Sequence, residues 1–258
     1  MNPFDLTGRV AIVTGAGSPT GIGFATAELL AELGAAVLVT STTDRVQERV
    51  AELRGGGAEV AGVAADLTEP ADAQRIVDAA VTRWGRLDIL VNNAGMTSVS
   101  QPVGEDGPLE AMSLETWRAG LHRNLDTAFL ATRAALPAMT AGGGRVVMVA
   151  SVTGPVMAMR ADPVYAAAKA GMVGLVRALA LDVTVRGVTV NAVAPGWVAT
   201  GSQTPHEHQQ GLRTPIGRSA TSAEVAAAVV FLASPAASYI TGQCLVVDGG
   251  NSIAEERA

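Results

Sequence analysis

At 258 residues, with 48% apolar and only 3% aromatic residues, the chain can form one α/β domain whose large core is packed from aliphatic side chains. A net charge of −6 and a pI of about 5.1 argue against a nucleic-acid surface. We expect no membrane span, because no apolar run is long enough, and the first residues lack a signal-peptide pattern. The lone Cys244 cannot form an intrachain disulfide, and His122, His206 and His208 are too scattered for a metal site, so we expect a cytoplasmic protein without a metal.

Apolar runs and helical patterns alternate along the chain. The runs that predict strands are 9–13, 36–40, 60–64, 87–91, 146–150, 188–193 and 245–247. The predicted helices are 24–33, 46–53, 71–84, 114–139 with Ser113 as N-cap, 163–185 and 223–233. Because the strands are continuously apolar, the pattern predicts an α/β fold with a parallel sheet covered on both faces. No linker divides the chain, so we expect one domain, with 197–218 as a substrate loop and its histidines solvated.

A glycine-rich turn lies between the first strand and the first helix. It runs from Gly15 through Gly17 and Gly21 to Gly23, directly after the apolar strand. Backbone N–H groups in such a turn, together with the helix dipole, favour a phosphate group. Glycines also form ordinary turns, so the pattern indicates a phosphate site mainly because it lies between a strand and a helix.

Tyr165 and Lys169 stand four residues apart in a run that predicts a helix. Residues at this spacing share a helix face, so the ammonium would lie beside the phenol. Lys169 is the only lysine, against seventeen arginines, in a chain whose basic residues number 18. A buried lysine adjusts its pKa readily, which makes this single exception a candidate for chemistry. On the pair alone, a surface lysine beside a half-buried tyrosine fits equally well.

With this pair the chain resembles the short-chain dehydrogenase/reductase family, in its single-domain branch. The resemblance covers nearly the whole chain and rests on motifs in the family's order, each of which alone also fits a turn or a cap. Besides the glycine turn, they are Asp66-Leu67, Asn92-Asn93-Ala94-Gly95, Asn124, Ser151, Tyr165 with Lys169, Pro195-Gly196-Trp197-Val198-Ala199-Thr200, and the closing strand from Tyr239 to Gly250. The resemblance implies a single-domain Rossmann fold with a seven-stranded parallel sheet, and a homotetramer.

The resemblance also implies the site residues. The catalytic set would be Asn124, Ser151, Tyr165 and Lys169. The dinucleotide would contact Gly15, Ser18, Thr20, Gly21, Ile22, Gly23, Ser41, Thr42, Arg45, Asp66, Leu67, Asn93, Ala94, Gly95, Tyr165, Lys169, Pro195, Gly196, Val198 and Thr200. The substrate pocket would include Ser151, Met157, Tyr165 and Trp197, framed by 96–109 and 200–215.

The chemistry needs a group that supplies or removes a proton at the carbonyl oxygen. Tyr165 can act as this general acid/base if its pKa falls from about 10 toward 7, a change of about 4 kcal/mol. One positive charge ~4 Å away, at an effective dielectric near 20, supplies about that much, so Lys169 is expected to lower the pKa together with the nicotinamide ring. Ser151 would steady the oxyanion, and Asn124 would hold a water in a relay through Lys169.

The end of the second strand bears on the coenzyme. An acid there binds the ribose 2′-hydroxyl of NAD and repels a 2′-phosphate, but this chain has Ser41 and Thr42, with Arg45 close by. The pattern favours NADP(H), with NAD(H) still possible. The glycine turn is also longer than the family's, since five residues separate Gly15 from Gly21, and Pro19 among them lacks an N–H donor.

The substrate is the least determined part. Met157, Met159 and Trp197 would give the pocket apolar walls, which favours a lipophilic ketone or secondary alcohol. The alternative is a 3-oxoacyl-(acyl-carrier-protein) reductase, but the segment 136–144 carries no positive charge to dock an acidic carrier. The three-residue gap in Tyr165-x-x-x-Lys169 argues against carbon–carbon double-bond reduction, for which the related enoyl-reductase branch has a wider gap. A catalytically inactive dinucleotide-binding regulator is the alternative of another class.

Overall fold

The computed structural model describes residues 2–95 and 107–255. Seven strands form one parallel sheet in the order β3-β2-β1-β4-β5-β6-β7. Their bounds are β1 Val10–Val13, β2 Ala36–Ser41, β3 Val60–Ala64, β4 Ile89–Asn92, β5 Arg145–Val149, β6 Thr189–Pro195 and β7 Cys244–Val247. The predicted seven-stranded parallel sheet is confirmed.

Helices connect the strands. They are α1 Ile22–Glu32, α2 Val46–Gly55, α3 Pro70–Trp84, α4 Leu114–Leu121, α5 Thr127–Ala138, α6 Pro163–Val183, α7 Pro205–Leu212 and α8 Ser222–Ala233. Short 3-10 turns span Leu109–Ala111, Thr184–Arg186 and Pro235–Ala237. Most predicted elements begin and end within about two residues of these bounds, as is usual for helix and strand ends.

The apolar strands divide their side chains between two core layers. In β1, Val10 and Ile12 pack into the layer formed with α3, α5 and α6. Ala11 and Val13 pack into the opposite layer, formed with α1, α2 and α8. Since successive strand residues point to opposite faces, a strand covered on both sides must be apolar at every position. This explains why the strands have no alternating pattern in the sequence.

The sheet order places a crevice above the carboxyl end of β1. β1 pairs with β2 on one side and with β4 on the other, so the direction in which successive strands are added to the sheet reverses there. In open α/β sheets, ligands bind at such a reversal, outside the carboxyl ends of the strands. The glycine turn follows β1, and the candidate catalytic residues follow β4 and β5, so the topology gathers them at one edge.

The predicted long helix 114–139 is interrupted. α4 and α5 are separated by a π-helical turn, His122–Asp126, and buried Asn124 lies within it. The hydroxyl of Ser113 accepts a hydrogen bond from the N–H of Thr116 at 3.0 Å, which confirms the predicted N-cap. A π-turn inserts one residue into the helical ladder without breaking the apolar spacing by much, and such turns are frequent at functional sites.

The polar stretch that we expected to be a loop contains α7. Its N-terminus is a capping box, in which Thr204 Oγ1 accepts from the N–H of Glu207 and the Glu207 carboxylate accepts from the N–H of Thr204. His206 and His208 therefore stand on a helix, and the expectation of a loop at these positions is wrong. The apolar spacing of α7 is too weak to predict a helix, but the Thr-Pro-x-Glu sequence is a helix-start signal.

One described helix is long and apolar enough to cross a membrane. α6 with the turn after it covers Pro163–Arg186, 24 residues that contain an 18-residue window with a mean hydropathy of 1.5, contrary to our expectation that no run is long enough. The helix packs against β6, and Met172, Val176 and Ala180 are among its buried residues. It therefore belongs to one of the two core layers, with α3 and α5.

Candidate active site

The glycine turn approaches the turn after β4 so closely that side chains are excluded. Gly15 has a φ of +68°, and a Cβ there would lie 2.8 Å from the Cα of Ala94. The side-chain amide of Asn93 donates to the carbonyls of Thr14 and Gly15, both at 3.0 Å. A Cβ on Gly23 would lie 2.5 Å from that amide. Asn93 thus braces the glycine turn and places the turn after β4 beside it.

The N-terminus of α1 has the properties of an anion site. Gly21 is its N-cap and has extended backbone, and within the described chain no side chain caps the first N–H groups. The first turn, Ile22 to Ala25, also carries no acidic residue. Uncapped N–H groups and the positive end of the helix dipole fit the phosphates of a dinucleotide.

The lengthened glycine turn is held by hydrogen bonds within itself and to the segment after β6. The carbonyl of Ser18 accepts from the N–H of Gly21 at 3.2 Å, which closes the turn. The hydroxyl of Thr20 accepts from the N–H of Gly201 at 2.8 Å, and its carbonyl accepts from Ser222 Oγ at 2.6 Å. Thr20, which we predicted to contact the coenzyme, directs its side chain to the segment after β6.

A buried arginine that the sequence reasoning did not single out supports the glycine turn from below. Arg49 on α2 donates to the carbonyl of Gly17 at 3.4 Å and pairs with Glu52, with which it shares two hydrogen bonds. Its guanidinium lies 5.7 Å from the ring centroid of Phe24 on α1. A basic residue that packs inward from an otherwise polar helix has no distinct sequence signal, so only the packing identifies it.

The residues that bear on the coenzyme form lie at the end of β2. Ser41 is buried, and its hydroxyl donates to the carbonyl of Thr43 at 2.6 Å, so its proton is already engaged. Thr42 and Arg45 are exposed. A Cβ on Gly17 would lie 2.6 Å from Arg45 Nε, so the guanidinium stands directly against the glycine turn.

Asp66 and Leu67, the pair that follows β3, lie in different environments. Asp66 is exposed, and its carboxylate accepts from the N–H and the hydroxyl of Thr68, at 3.0 and 2.6 Å. Leu67 is buried in the core. Asp66 therefore caps the turn before α3, and its position at the carboxyl end of β3 also keeps it at the edge of the crevice.

Tyr165 and Lys169 lie together on α6, as the spacing predicted. Lys169 is buried, and its ammonium donates to the carbonyl of Val149 at 3.0 Å and lies 5.4 Å from the ring centroid of Tyr165. Ser151 follows β5, and its hydroxyl accepts from the N–H of Thr153 at 3.1 Å. A surface lysine is thereby excluded, because the side chain points into the protein toward the end of β5.

The protein's own groups raise the phenol pKa. Burial raises the pKa of Tyr165, a hydrogen bond with Ser151 lowers it in part, and the carboxylates of Asp162 and Glu207 also raise it, which together bring it to about 12. Burial lowers the pKa of Lys169 to about 8. We expected Lys169 to draw the phenol pKa toward 7, and these surroundings act in the opposite direction. A phenol that ionises near neutral pH therefore needs a further positive charge beside it.

Asn124, the fourth residue of the predicted catalytic set, comes from the π-turn between α4 and α5. It is fully buried in the π-turn, and its side-chain amide donates to the carbonyl of Gly120 at 3.2 Å. Gly95 has a φ of +142°, and a Cβ there would lie 3.2 Å from Asn124 Oδ1 and 3.7 Å from Lys169 Nζ. Gly95 therefore brings the backbone of the turn after β4 close to both Asn124 and Lys169.

These residues line one cavity of about 880 Å³. Its walls include the predicted site residues Ile22, Asn93, Gly95, Asn124, Ser151, Met157, Tyr165, Lys169, Pro195, Gly196, Trp197, Val198 and Thr200. Residues 96–106, which we expected to frame the substrate, lie outside the described residues. Gly196 is held by a bond from its N–H to the carbonyl of Val247 at 3.0 Å, which fixes the turn after β6 against β7.

The cavity also has a polar wall. α7 places His206, Glu207 and Gln210 on it, while Met157 and Trp197 contribute apolar lining. We expected 200–215 to frame the pocket and Met157, Met159 and Trp197 to give it apolar walls, and the lining includes residues of both groups. The three polar residues follow the helical i, i+1, i+4 spacing, which becomes informative only once the segment is known to be helical.

Comparison with known proteins agrees with this geometry. A family profile described as enoyl-(acyl carrier protein) reductase matches residues 15–252. The 3-oxoacyl-(acyl-carrier-protein) reductase FabG of Vibrio cholerae is 40% identical over 251 residues, which cover 95% of this chain and 98% of the relative. Cis-4-hydroxycyclohexanecarboxylate dehydrogenase of Sinomonas cyclohexanicum is 40% identical over 247 residues, 94% of this chain and 96% of that protein.

Solved structures give the same result. A Serratia marcescens short-chain dehydrogenase/reductase, solved as a double mutant, superimposes with a TM-score of 0.87 at 35% identity and covers 96% of this chain and 99% of its own. The fold, the crevice at the carboxyl ends of the strands and the full-length similarity define an oxidoreductase of the ketone/alcohol class. The chain belongs to the short-chain dehydrogenase/reductase family.

Proposed function

We propose that the protein interconverts a ketone and a secondary alcohol with NADP(H), using Tyr165 as general acid/base. The observation that carries this proposal is the convergence of Tyr165, Lys169, Ser151 and Asn124 on one cavity, whose lining also includes Ile22 of the glycine turn. A bound nicotinamide coenzyme would supply or accept the hydride. A screen of NADPH consumption over ketones and acyl thioesters tests the proposal, and no turnover of any carbonyl would favour an inactive dinucleotide-binding regulator.

The side chains divide the work as follows. In the direction of reduction, the Tyr165 phenol donates a proton to the carbonyl oxygen, and in oxidation the phenolate takes the proton back. Ser151, whose hydroxyl hydrogen-bonds the phenol, is placed to donate to the same oxygen and stabilise its negative charge. Lys169 would hold the coenzyme ribose, and buried Asn124 would orient the water that passes the proton onward.

The position of Arg45 supports NADP(H) over NAD(H). Its guanidinium lies against Gly17, is exposed and is therefore free to meet a 2′-phosphate, while Thr42 offers an exposed hydroxyl beside it. Ser41 is a weaker candidate than we expected, because its proton goes to the carbonyl of Thr43.

Arg45→Ala tests this arrangement. We expect it to lower kcat/KM with NADPH by about 10- to 100-fold, the value of one hydrogen-bonded charge pair, and to change kcat/KM with NADH less than twofold. Arg83→Ala, which removes an arginine from the last turn of α3, is the control and should change neither. Equal losses with both coenzymes would contradict a role at the 2′-phosphate.

The carboxylate of Glu207 gives a prediction for the pH profile. It raises the pKa of Tyr165, so Glu207→Gln should lower that pKa and shift the ascending limb of the oxidation rate to lower pH. Asp162 also raises this pKa, and Lys169 is the cation beside the ring, so both must be left intact. Glutamine keeps the capping box, which should preserve α7.

Glu224→Gln is the matched control for this shift. Glu224 occupies the same position in the capping box of α8, where it pairs with Arg218 at 2.6 Å. The variant should leave the pH profile of alcohol oxidation in place. A profile that moves equally in both variants, or moves to higher pH in Glu207→Gln, would contradict the role of Glu207 in setting the phenol pKa.

The cavity supports a substrate with one apolar and one hydrogen-bonding flank. Met157 and Trp197 would contact the apolar part, and Glu207 and Gln210 would meet a donor on the other side. A carrier-bound 3-oxoacyl thioester is the second candidate, which the 40% identity to the Vibrio cholerae FabG favours. The uncharged segment 136–144 offers an acidic carrier no partner, so the free ketone stands first.

We also propose a cytoplasmic homotetramer. The support is the family membership, together with apolar side chains at the open edge of the sheet. Leu245 and Val246 on β7 are more than one-third exposed, and Tyr239 just before β7 is fully exposed. Exposed apolar side chains at an open sheet edge fit an interaction surface.

A further inference from the structure

We infer that Thr20 is a positioning residue that fastens the glycine turn to both ends of the segment carrying α7. This segment, 201–222, forms the polar wall of the cavity. The inference rests on the proposed function for its catalytic consequence, whereas the contact itself is independent of any reaction. It gives a role to one residue of the glycine turn, which is longer than the family pattern.

Two hydrogen bonds make the connection. The N–H of Gly201 donates to Thr20 Oγ1 at 2.8 Å, across 181 residues of sequence. The hydroxyl of Ser222 donates to the carbonyl of Thr20 at 2.6 Å, across 202 residues. Gly201 precedes α7, and Ser222 is the first residue of α8. One residue of the glycine turn therefore holds the segment on both sides of α7.

The fit at Gly201 is specific. A Cβ on Gly201 would lie 2.7 Å from Thr20 Oγ1, closer than real Cβ contacts allow. Both residues are exposed, so a methyl group there would push the threonine hydroxyl aside and break the bond. The hydrogen bond therefore depends on a residue without a side chain at 201 and on an acceptor at 20.

The connection has a functional consequence. The glycine turn is the proposed phosphate site, and α7 bears Glu207, whose carboxylate acts on the Tyr165 phenol. Because Thr20 joins the two, the position of the glycine turn sets the position of the polar wall. Losing the bond should let α7 move away from the substrate, which weakens substrate binding more than it slows the chemical step.

The first test measures the contact in protein without coenzyme. In Thr20→Val, which has the same shape but no acceptor, we expect amide hydrogen exchange of peptides covering 201–212 to rise about fivefold, the value of one neutral hydrogen bond. Thr20→Ser restores the acceptor and should restore slow exchange. Thr140→Val removes a bond to the carbonyl of Leu87, and it should leave exchange in 201–212 unchanged. Unchanged exchange in Thr20→Val would overturn the inference.

The second test uses the steric relation. Gly201→Ala should raise exchange of the same peptides in the parent, but should add little in a Thr20→Ala background, because the clash and the bond are then both gone. Fully additive effects would overturn the pairing. In turnover with a ketone, Thr20→Val should raise KM about fivefold with kcat within twofold. If the parent protein oxidised NADPH with none of the carbonyl compounds tested, the proposed function would be refuted. The exchange measurement would still decide whether Thr20 holds the segment 201–222.

Discussion

Tyr165→Phe is expected to reduce turnover of any ketone or alcohol substrate by about 100- to 10,000-fold, the usual contribution of a positioned general acid/base. The substitution removes only the phenolic oxygen, so the ring still packs in the cavity and the coenzyme affinity should stay within threefold. Initial rates and coenzyme fluorescence titrations measure the two quantities. Tyr239→Phe changes the only other tyrosine, which is fully exposed, and should keep the parental rate.

Turnover of Tyr165→Phe within tenfold of the parent would remove Tyr165 from the mechanism. Ser151→Ala provides an intermediate case, because it deletes one donor to the substrate oxygen and leaves the phenol in place. We expect it to lose less than Tyr165→Phe. Since Ser151 also hydrogen-bonds the phenol and lowers its pKa, the remaining activity in the direction of oxidation should have its ascending limb at higher pH.

Lys169→Met is expected to make the protein more stable while it abolishes activity. The ammonium is buried, which lowers its pKa from 10.5 to about 8, and at pH 7 the fold therefore holds a charge that costs about 3 kcal/mol. Methionine fills similar volume without that cost, although the carbonyl of Val149 loses its partner. We expect the free energy of unfolding at pH 7 to rise by about 1 to 3 kcal/mol, as measured by urea denaturation.

The pH dependence of stability separates this effect from ordinary repacking. Between pH 8 and 10.5 the unfolded parent keeps the Lys169 proton that the folded protein releases, so parental stability should rise with pH in that window. Above pH 10 the raised pKa of Tyr165 acts in the opposite direction, since the folded phenol keeps its proton up to about pH 12. The rise from pH 8 to 10 should vanish in Lys169→Met. A variant that is less stable at pH 7 and keeps the rise would contradict this account.

Much of the fold could be predicted because the core is built from short-range patterns. Continuous apolar strands such as β1 can only be covered on both faces, and the parallel order follows from the helices between them. The Tyr165–Lys169 pair could also be predicted, because a four-residue spacing on a helix places two side chains together without reference to the rest of the chain. The same spacing argument failed for α7, where the helix is short, polar and held by its capping box.

Features that depend on residues far apart in the chain could not be predicted. The burial of Arg49 under Gly17 and the bonds of Thr20 to Gly201 and Ser222 have no local pattern in the sequence. The pKa of Tyr165 is another case. A pairwise estimate with one lysine predicts a fall, but the desolvation of the cavity and two carboxylates from different elements raise it.

By itself, the sequence determined the layered α/β architecture, the helix face that joins the phenol to the ammonium, and the glycine turn after β1, because each follows from residue types at short spacing. Only the tertiary structure decided how the cavity is walled, which hydroxyl at the end of β2 is free, and in which direction the phenol pKa moves. Those properties come from burial and from groups brought together across the whole chain, and neither is contained in any local stretch of residues.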